Sequence, residues 1–206
     1  MKIFCFKLAV LALALALALF ALSCSQKKDE ENKTEKLDFS SMSAEELGAY
    51  AELGEYKGLE ITLGGRTKDE AVWSAVRSSA DIKSYPEEQA EYYFAQTKAQ
   101  YEYYAEGADV SYKEMLTELG TSEEKMMQEA RQMAIDDVLF ELVKRAENIA
   151  LSESEKSELF DRYVEKYVSD YGYSEDYVRK DLSGKVYDSM LYDKVCEFLI
   201  TNNKFN

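Results

Sequence analysis

Hydrophobic positions along this chain fall into distinct regimes. From Leu8 to Leu22 they are continuous, mostly alternating Leu and Ala. From Ser25 to about Ser41 they nearly vanish, with no apolar residue until Leu37. From Thr67 onward they recur at the three- and four-residue spacing of amphipathic helices. Between the last two, Ser43 to Ala51 reads as a short helix. The stretch Leu59-Glu60-Ile61-Thr62-Leu63 alternates apolar with polar and reads as a strand closed by Gly64-Gly65. A lone strand is not stable, so it has to pair elsewhere or lie extended over helices.

Helix starts are marked by hydroxyl and carboxylate residues three apart. Thr67 with Glu70, Ser111 with Glu114, Thr121 with Glu124 and Ser152 with Glu155 each fit the capping box, in which the two side chains satisfy opposite backbone donors. Pro86 suits the first turn of another helix, where its missing N–H costs nothing. Ser174 reads as a further cap, and Gly107, Gly120 and Gly172 fall where C-terminal caps belong. The pattern predicts helices near 68–81, 86–105, 112–119, 122–148, 153–169 and 175–201, the last bending at Ser183-Gly184.

Laying the helix from Pro86 out at about 100° per residue puts Ala90, Phe94, Thr97, Tyr101 and Tyr104 on a packed face. Tyr92 and Tyr103 fall opposite. On the helix from residue 122, Ala134, Ile135, Val138, Leu139, Phe140, Leu142 and Val143 point almost everywhere, which predicts a buried, central helix. Met126, Met133 and Phe140 form a separate seven-residue stripe on it. The last helix carries Val178, Leu182, Val186, Met190, Val195, Phe198 and Leu199 along one face. No repeat of fixed period emerges. The fold class is mainly α, with one short β segment near residues 56–63.

The N-terminus changes where such a domain would sit. Lys2 and Lys7 precede the apolar run, and Ala21-Leu22-Ser23-Cys24 closes it with small residues. Positive end, short apolar core and small-residue site together read as a secretory signal. The run is short for a bilayer span, which needs about 20 apolar residues. The placement of Cys24 resembles a bacterial lipobox, with Ala21 where that family usually has Leu. The resemblance implies cleavage before Cys24 and a lipid on its thiol. The expected location is the cell envelope, on the outer face of the cytoplasmic membrane or on an outer membrane if the cell has one. The charged stretch after Cys24 cannot bury enough apolar surface to offset its ordering entropy, so it reads as a flexible tether.

Charge and composition then exclude function classes. The chain has 25 basic and 40 acidic residues, and a net charge of −15. Losing Lys2 and Lys7 with the leader leaves 23 basic residues against 40 acidic, a net −17. Nucleic-acid binding rests on Lys and Arg at phosphates and is not expected. Electrostatic docking on anionic lipid is not expected either, so lipid chains must do the anchoring. There is no histidine, which removes the commonest general base and metal ligand. Of three cysteines, Cys5 leaves with the leader and Cys24 takes the lipid. Cys196 is left without a disulfide partner and reads as a buried small hydrophobe. No phosphate-cradling Gly-Lys loop and no calcium loop are present, so no cofactor, nucleotide or metal is expected.

Two segments carry a family resemblance. Leu53-Gly54-Glu55-Tyr56-Lys57-Gly58-Leu59-Glu60 resembles the segment of trigger factor that leaves its ribosome-binding domain. The stretch from Tyr85-Pro86-Glu87 through Ala146-Glu147-Asn148-Ile149 to Lys194-Val195-Cys196-Glu197-Phe198-Leu199 is similar to the trigger factor C-terminal chaperone domain. That domain shares its helical fold with the N-terminal part of SurA-like periplasmic chaperones. The likeness covers roughly two thirds of the chain and rests on the order of motifs that are individually weak. The Gly-Phe-Arg ribosome-docking loop and the prolyl isomerase domain of that family are missing. Neither ribosome binding nor isomerase activity is therefore expected.

The resemblance implies a non-enzymatic, membrane-anchored chaperone that holds newly exported polypeptides by dispersed apolar contacts. The leader and the charged stretch set off residues 1–23 as signal and 24–42 as disordered tether, ahead of a helix and strand linker at 43–66 and a helical chaperone-like domain at 67–206. Candidate client contacts are Tyr92, Tyr103, Met126, Met133 and Phe140, each also readable as ordinary core. The alternative is a helical adaptor for one envelope partner.

Overall fold

The computed structural model describes residues 35–206. The expected leader, Cys24 and most of the tether lie outside the described residues. The described chain is mainly helical. In chain order it forms a 3-10 turn (Phe39–Ser41), α1 (Ala44–Gly48), β1 (Ala51–Glu52), β2 (Glu60–Ile61), α2 (Lys68–Ser79), β3 (Asp81–Ile82) and α3 (Glu87–Gly107). There follow α4 (Tyr112–Leu119), α5 (Glu123–Ala146), α6 (Glu153–Tyr171), α7 (Glu175–Asp181), α8 (Ser183–Thr201) and β4 (Lys204–Phe205).

Local chemistry sets most boundaries. Complete capping boxes open α2 at Thr67, α4 at Ser111 and α6 at Ser152, as the spacing predicts. A fourth opens α1 at Ser43. The start of α5 differs from expectation. Ser122, not Thr121, takes the cap position, its hydroxyl accepting from the Lys125 N–H at 3.3 Å. Gly120 and Gly172 end their helices in the left-handed region at φ 67° and 70°. Gly107 does not: α3 closes through Ala108, and Asp109 takes the positive φ of 55°. The expected bend becomes a break, with Leu182 at φ −113° between α7 and α8.

The chain divides into two compact units. Among the described residues, one comprises 35–38 and Tyr85–Ile135. It holds α3, α4 and the first part of α5. Its small-residue core is Ala90, Ala130 and Ala134, flanked by half-buried Tyr93, Phe94 and Met127. On α3 the packed face includes the predicted one and is wider than predicted. Ala90 is buried, Phe94, Thr97, Tyr101 and Tyr104 are half-buried, and Gln89 and Gln100 beside them are buried as well. Alanines draw helices close and leave large rings at the flanks. A buried amide is tolerated where it is bonded: the Gln89 Oε1 accepts from the Leu37 N–H at 2.8 Å.

The other unit comprises Phe39–Ser84 and Asp136–Asn206. The later part of α5 runs through its core, with Val138, Leu139 and Val143 fully buried. Val178, Leu182, Val186, Met190, Val195 and Leu199 are buried as predicted, and Phe198 is half-buried. The single predicted strand finds its partner at the other end of the chain. β2 pairs in parallel with β4, Glu60 opposite Lys204 and Ile61 opposite Phe205. Buried Asn203 locks this pairing. Its Oδ1 accepts from the Leu59 N–H at 2.8 Å, and its Nδ2 donates to the carbonyls of Tyr56 and Leu199 at 3.0 and 2.7 Å. β1 pairs antiparallel with β3. The order begins before residue 42, where the tether was expected to end. Phe39 is buried, edge-on to Tyr50, and the Arg145 Nη2 donates to the Phe39 and Ser40 carbonyls.

Glu155 ties α6 to α8. It accepts from the Ser152 N–H at 2.7 Å and from the Lys194 ammonium at 2.5 Å. Lys194 first, then the Ser152 backbone and hydroxyl, pull its carboxyl down to about 2. A depressed carboxyl stabilises the fold above its unfolded pKa and loses that contribution as pH falls through the folded value. Glu155→Gln is therefore expected to lower the thermal midpoint most near neutral pH. The gap to the wild type should close between about pH 4.5 and pH 2. A pH-independent gap in thermal melts would contradict this.

Candidate functional site

The sequence-selected residues scatter. Cys24 lies outside the described residues. On α3, Tyr103 is 61% exposed, whereas Tyr92 is half-buried with its ring edge-on to Tyr93, centroids 5.6 Å apart. Met126 is buried, 3.7 Å from the Tyr112 hydroxyl, which donates to its sulfur. That placement makes Met126 a core side chain with no face for a client. Met133, two turns on, is 37% exposed. Phe140 belongs to the other unit and is half-buried. Helical spacing fixes which residues share an azimuth and not what packs on it.

Phe140 does mark a coherent feature. Trp73 of α2, Phe140 of α5 and Tyr192 of α8 form a three-ring cluster. Trp73 and Tyr192 stack at 6.1 Å and 19°, and Phe140 and Tyr192 at 5.9 Å and 25°. Trp73 is buried and Phe140 half-buried, while Tyr192 is 43% exposed. Beneath them the Trp73 indole N–H donates to the Cys196 sulfur at 3.1 Å. Burial pushes the Cys196 thiol up to about 11, outweighing the bonds from Trp73 and Tyr192. A protonated, buried thiol is neither a nucleophile nor a metal ligand. Burial also pushes the Tyr192 hydroxyl up, with the Cys196 sulfur, Asp69 and Asp136 adding to it. The ring therefore stays neutral, an apolar body with a polar tip.

A second aromatic group lies on α6 and α7. Tyr167, Tyr171, Tyr173 and Tyr177 touch in series, with centroids 5.4, 6.1 and 5.6 Å apart. Phe160 packs on Tyr187 of α8 at 5.2 Å. Tyr177 and Tyr187 are each more than a third exposed. Sequence reasoning did not single out Tyr177, Tyr187 or Tyr192.

Among the described residues, the large apolar side chains that are more than a third exposed are Tyr85, Tyr103, Tyr177, Tyr187, Tyr192 and Met133. No branched aliphatic is among them. Amphipathic rings and one flexible thioether make a surface suited to shallow, adaptable contacts. No group of three or more Cys, Asp or Glu side chains that could hold a metal ion occurs among the described residues. No described helix is long and apolar enough to cross a membrane. No known family, curated protein or solved structure matches the chain.

Proposed function

We propose that this chain is a lipid-anchored, non-enzymatic chaperone that binds non-native stretches of exported polypeptide weakly and releases them without nucleotide. The observation that carries the reading is the make-up of the exposed apolar set among the described residues, tyrosines and a methionine with no exposed Leu, Ile or Val. Met and aromatic surfaces adapt to many partners. The phenolic tips keep such a surface hydrated, and the acidic balance, net −17 once the leader is lost (23 basic against 40 acidic), keeps bound clients dispersed. The leader and Cys24 support the anchor. The order of helix starts and turns supports a trigger factor-like fold, and the adaptable exposed set favours many clients over adaptation to a single partner.

The test is aggregation of a chemically denatured reporter in the presence of the purified protein. A delay is expected at equimolar ratio. Tyr103→Ser with Tyr187→Ser should shorten that delay at least twofold while leaving the helical circular dichroism unchanged, because both rings are exposed. No delay at a tenfold excess of protein would sink the chaperone reading. Crosslinking to one stoichiometric partner would replace it with the adaptor. Intact mass showing a diacylglyceryl group on Cys24 tests the anchor.

A further inference from the structure

The β2 strand has an open side. Toward β4, the carbonyls of Leu59 and Ile61 accept from the Lys204 and Asn206 N–H groups at 2.9 and 3.1 Å, and the Leu63 N–H donates to the Asn206 carbonyl at 3.1 Å. In a parallel ladder alternate residues bond to one neighbour. The Glu60 N–H and carbonyl and the Thr62 N–H therefore point the other way, where no strand pairs with them among the described residues. Four consecutive residues, Leu59 to Thr62, line an open groove of about 440 Å³. Its far wall is the small-residue face of α2, including Ser74, Ala75 and Ser78. A helix of small residues beside a strand leaves room for another chain, and backbone groups on an edge are satisfied best by another extended backbone.

The charge at one end of the groove selects the occupant. Arg66 lines the Thr62 end, its Nη2 donating to the Thr62 carbonyl and its Nε to the Leu63 carbonyl, both at 3.1 Å. A guanidinium carries five N–H donors, so others remain for a ligand. We infer that this groove binds the extended C-terminal segment of a polypeptide, adding as a parallel strand on β2 with its terminal carboxylate at Arg66. In that register the Glu60 N–H and carbonyl bond the segment's backbone. The last residue then brings its carboxylate to the Thr62 N–H and to the guanidinium. Arg66 is the one cation among the residues lining the groove, which also carries Glu60, and Arg66 interacts with Glu70 as well. A carboxylate there pairs with the guanidinium, whereas an antiparallel segment would bring its N-terminal amine to it instead. This deepens the polypeptide-binding reading and rests on it.

The full chain in mild detergent is titrated against an N-terminally fluorescein-labelled hexapeptide, Gly-Ser-Ser-Val-Ala-Leu, with either a free C-terminus or a C-terminal amide. Fluorescence anisotropy is expected to show the acid binding about tenfold tighter than the amide, the effect of losing a charge-assisted bond. Arg66→Gln should remove that difference, and Ser78→Trp should block both peptides by filling the groove. Arg66 and Ser78 are exposed, so circular dichroism should confirm that both variants keep the fold. Equal binding of acid and amide, or binding indifferent to Ser78→Trp, overturns the groove. If the chain still delays reporter aggregation, the surface reading survives that result. A chain that neither binds nor delays overturns both.

Discussion

Trp73→Ala is expected to cost about 4 kcal/mol of folding stability, the range for deleting a large buried ring. Trp73 is 7% exposed and is the only tryptophan in the chain. Its ring meets Phe140 and Tyr192, and its indole N–H meets Cys196. Truncation forfeits the area buried by the ring and leaves a cavity between three helices that only partly relax. Phe140 and Tyr192 also lose the ring they pack on, so the damage reaches the aromatic cluster. Urea denaturation followed by circular dichroism reads the loss. The Cys196 thiol should also react faster with a thiol reagent. A loss below about 2 kcal/mol would mean that the site collapses around the deletion, contrary to a rigid cluster.

Gly54→Ala is expected to cost about 3 kcal/mol, the upper range for overpacking. A Cβ built on Gly54 would sit 1.9 Å from the Ser79 carbonyl oxygen and 2.5 Å from its carbon. Both atoms are backbone at the end of α2, so no side-chain rotation relieves the clash. The chain must shift where Ser79 feeds β3, and β3 pairs with β1 just before Gly54. Gly48→Ala is the control. Nothing lies within 4 Å of its added methyl, and a helical Gly→Ala change is neutral to stabilising by up to about 1 kcal/mol. Equal urea midpoints for the two variants would contradict the close approach at Gly54.

Much of the local architecture was legible in the residues because the forces that set it act over three or four positions. The boxes at Thr67, Ser111 and Ser152 needed no distant partner. The error at α5 was a single step, since Thr121 and Ser122 both present a hydroxyl and only geometry chooses between them. The candidate contacts fared differently because exposure is set by what packs against a face. Met126 and Met133 lie two turns apart on one stripe, yet one is core and the other is open. Gly54 carried no turn signal, because its constraint comes from a carbonyl 25 positions away.

The sequence by itself determined the helical class, most of the helix starts and the buried residues along α5 and α8. It also determined the acidic balance and the absence of histidine chemistry. Each follows from periodicity, capping or composition, which are local or additive. Tertiary structure alone decided that β2 would pair with a segment more than 140 positions away, and that α5 would serve two compact units. It also decided that the exposed apolar set would be tyrosine and methionine. Those outcomes depend on which distant surfaces exclude water together, and no short window of residues carries that information.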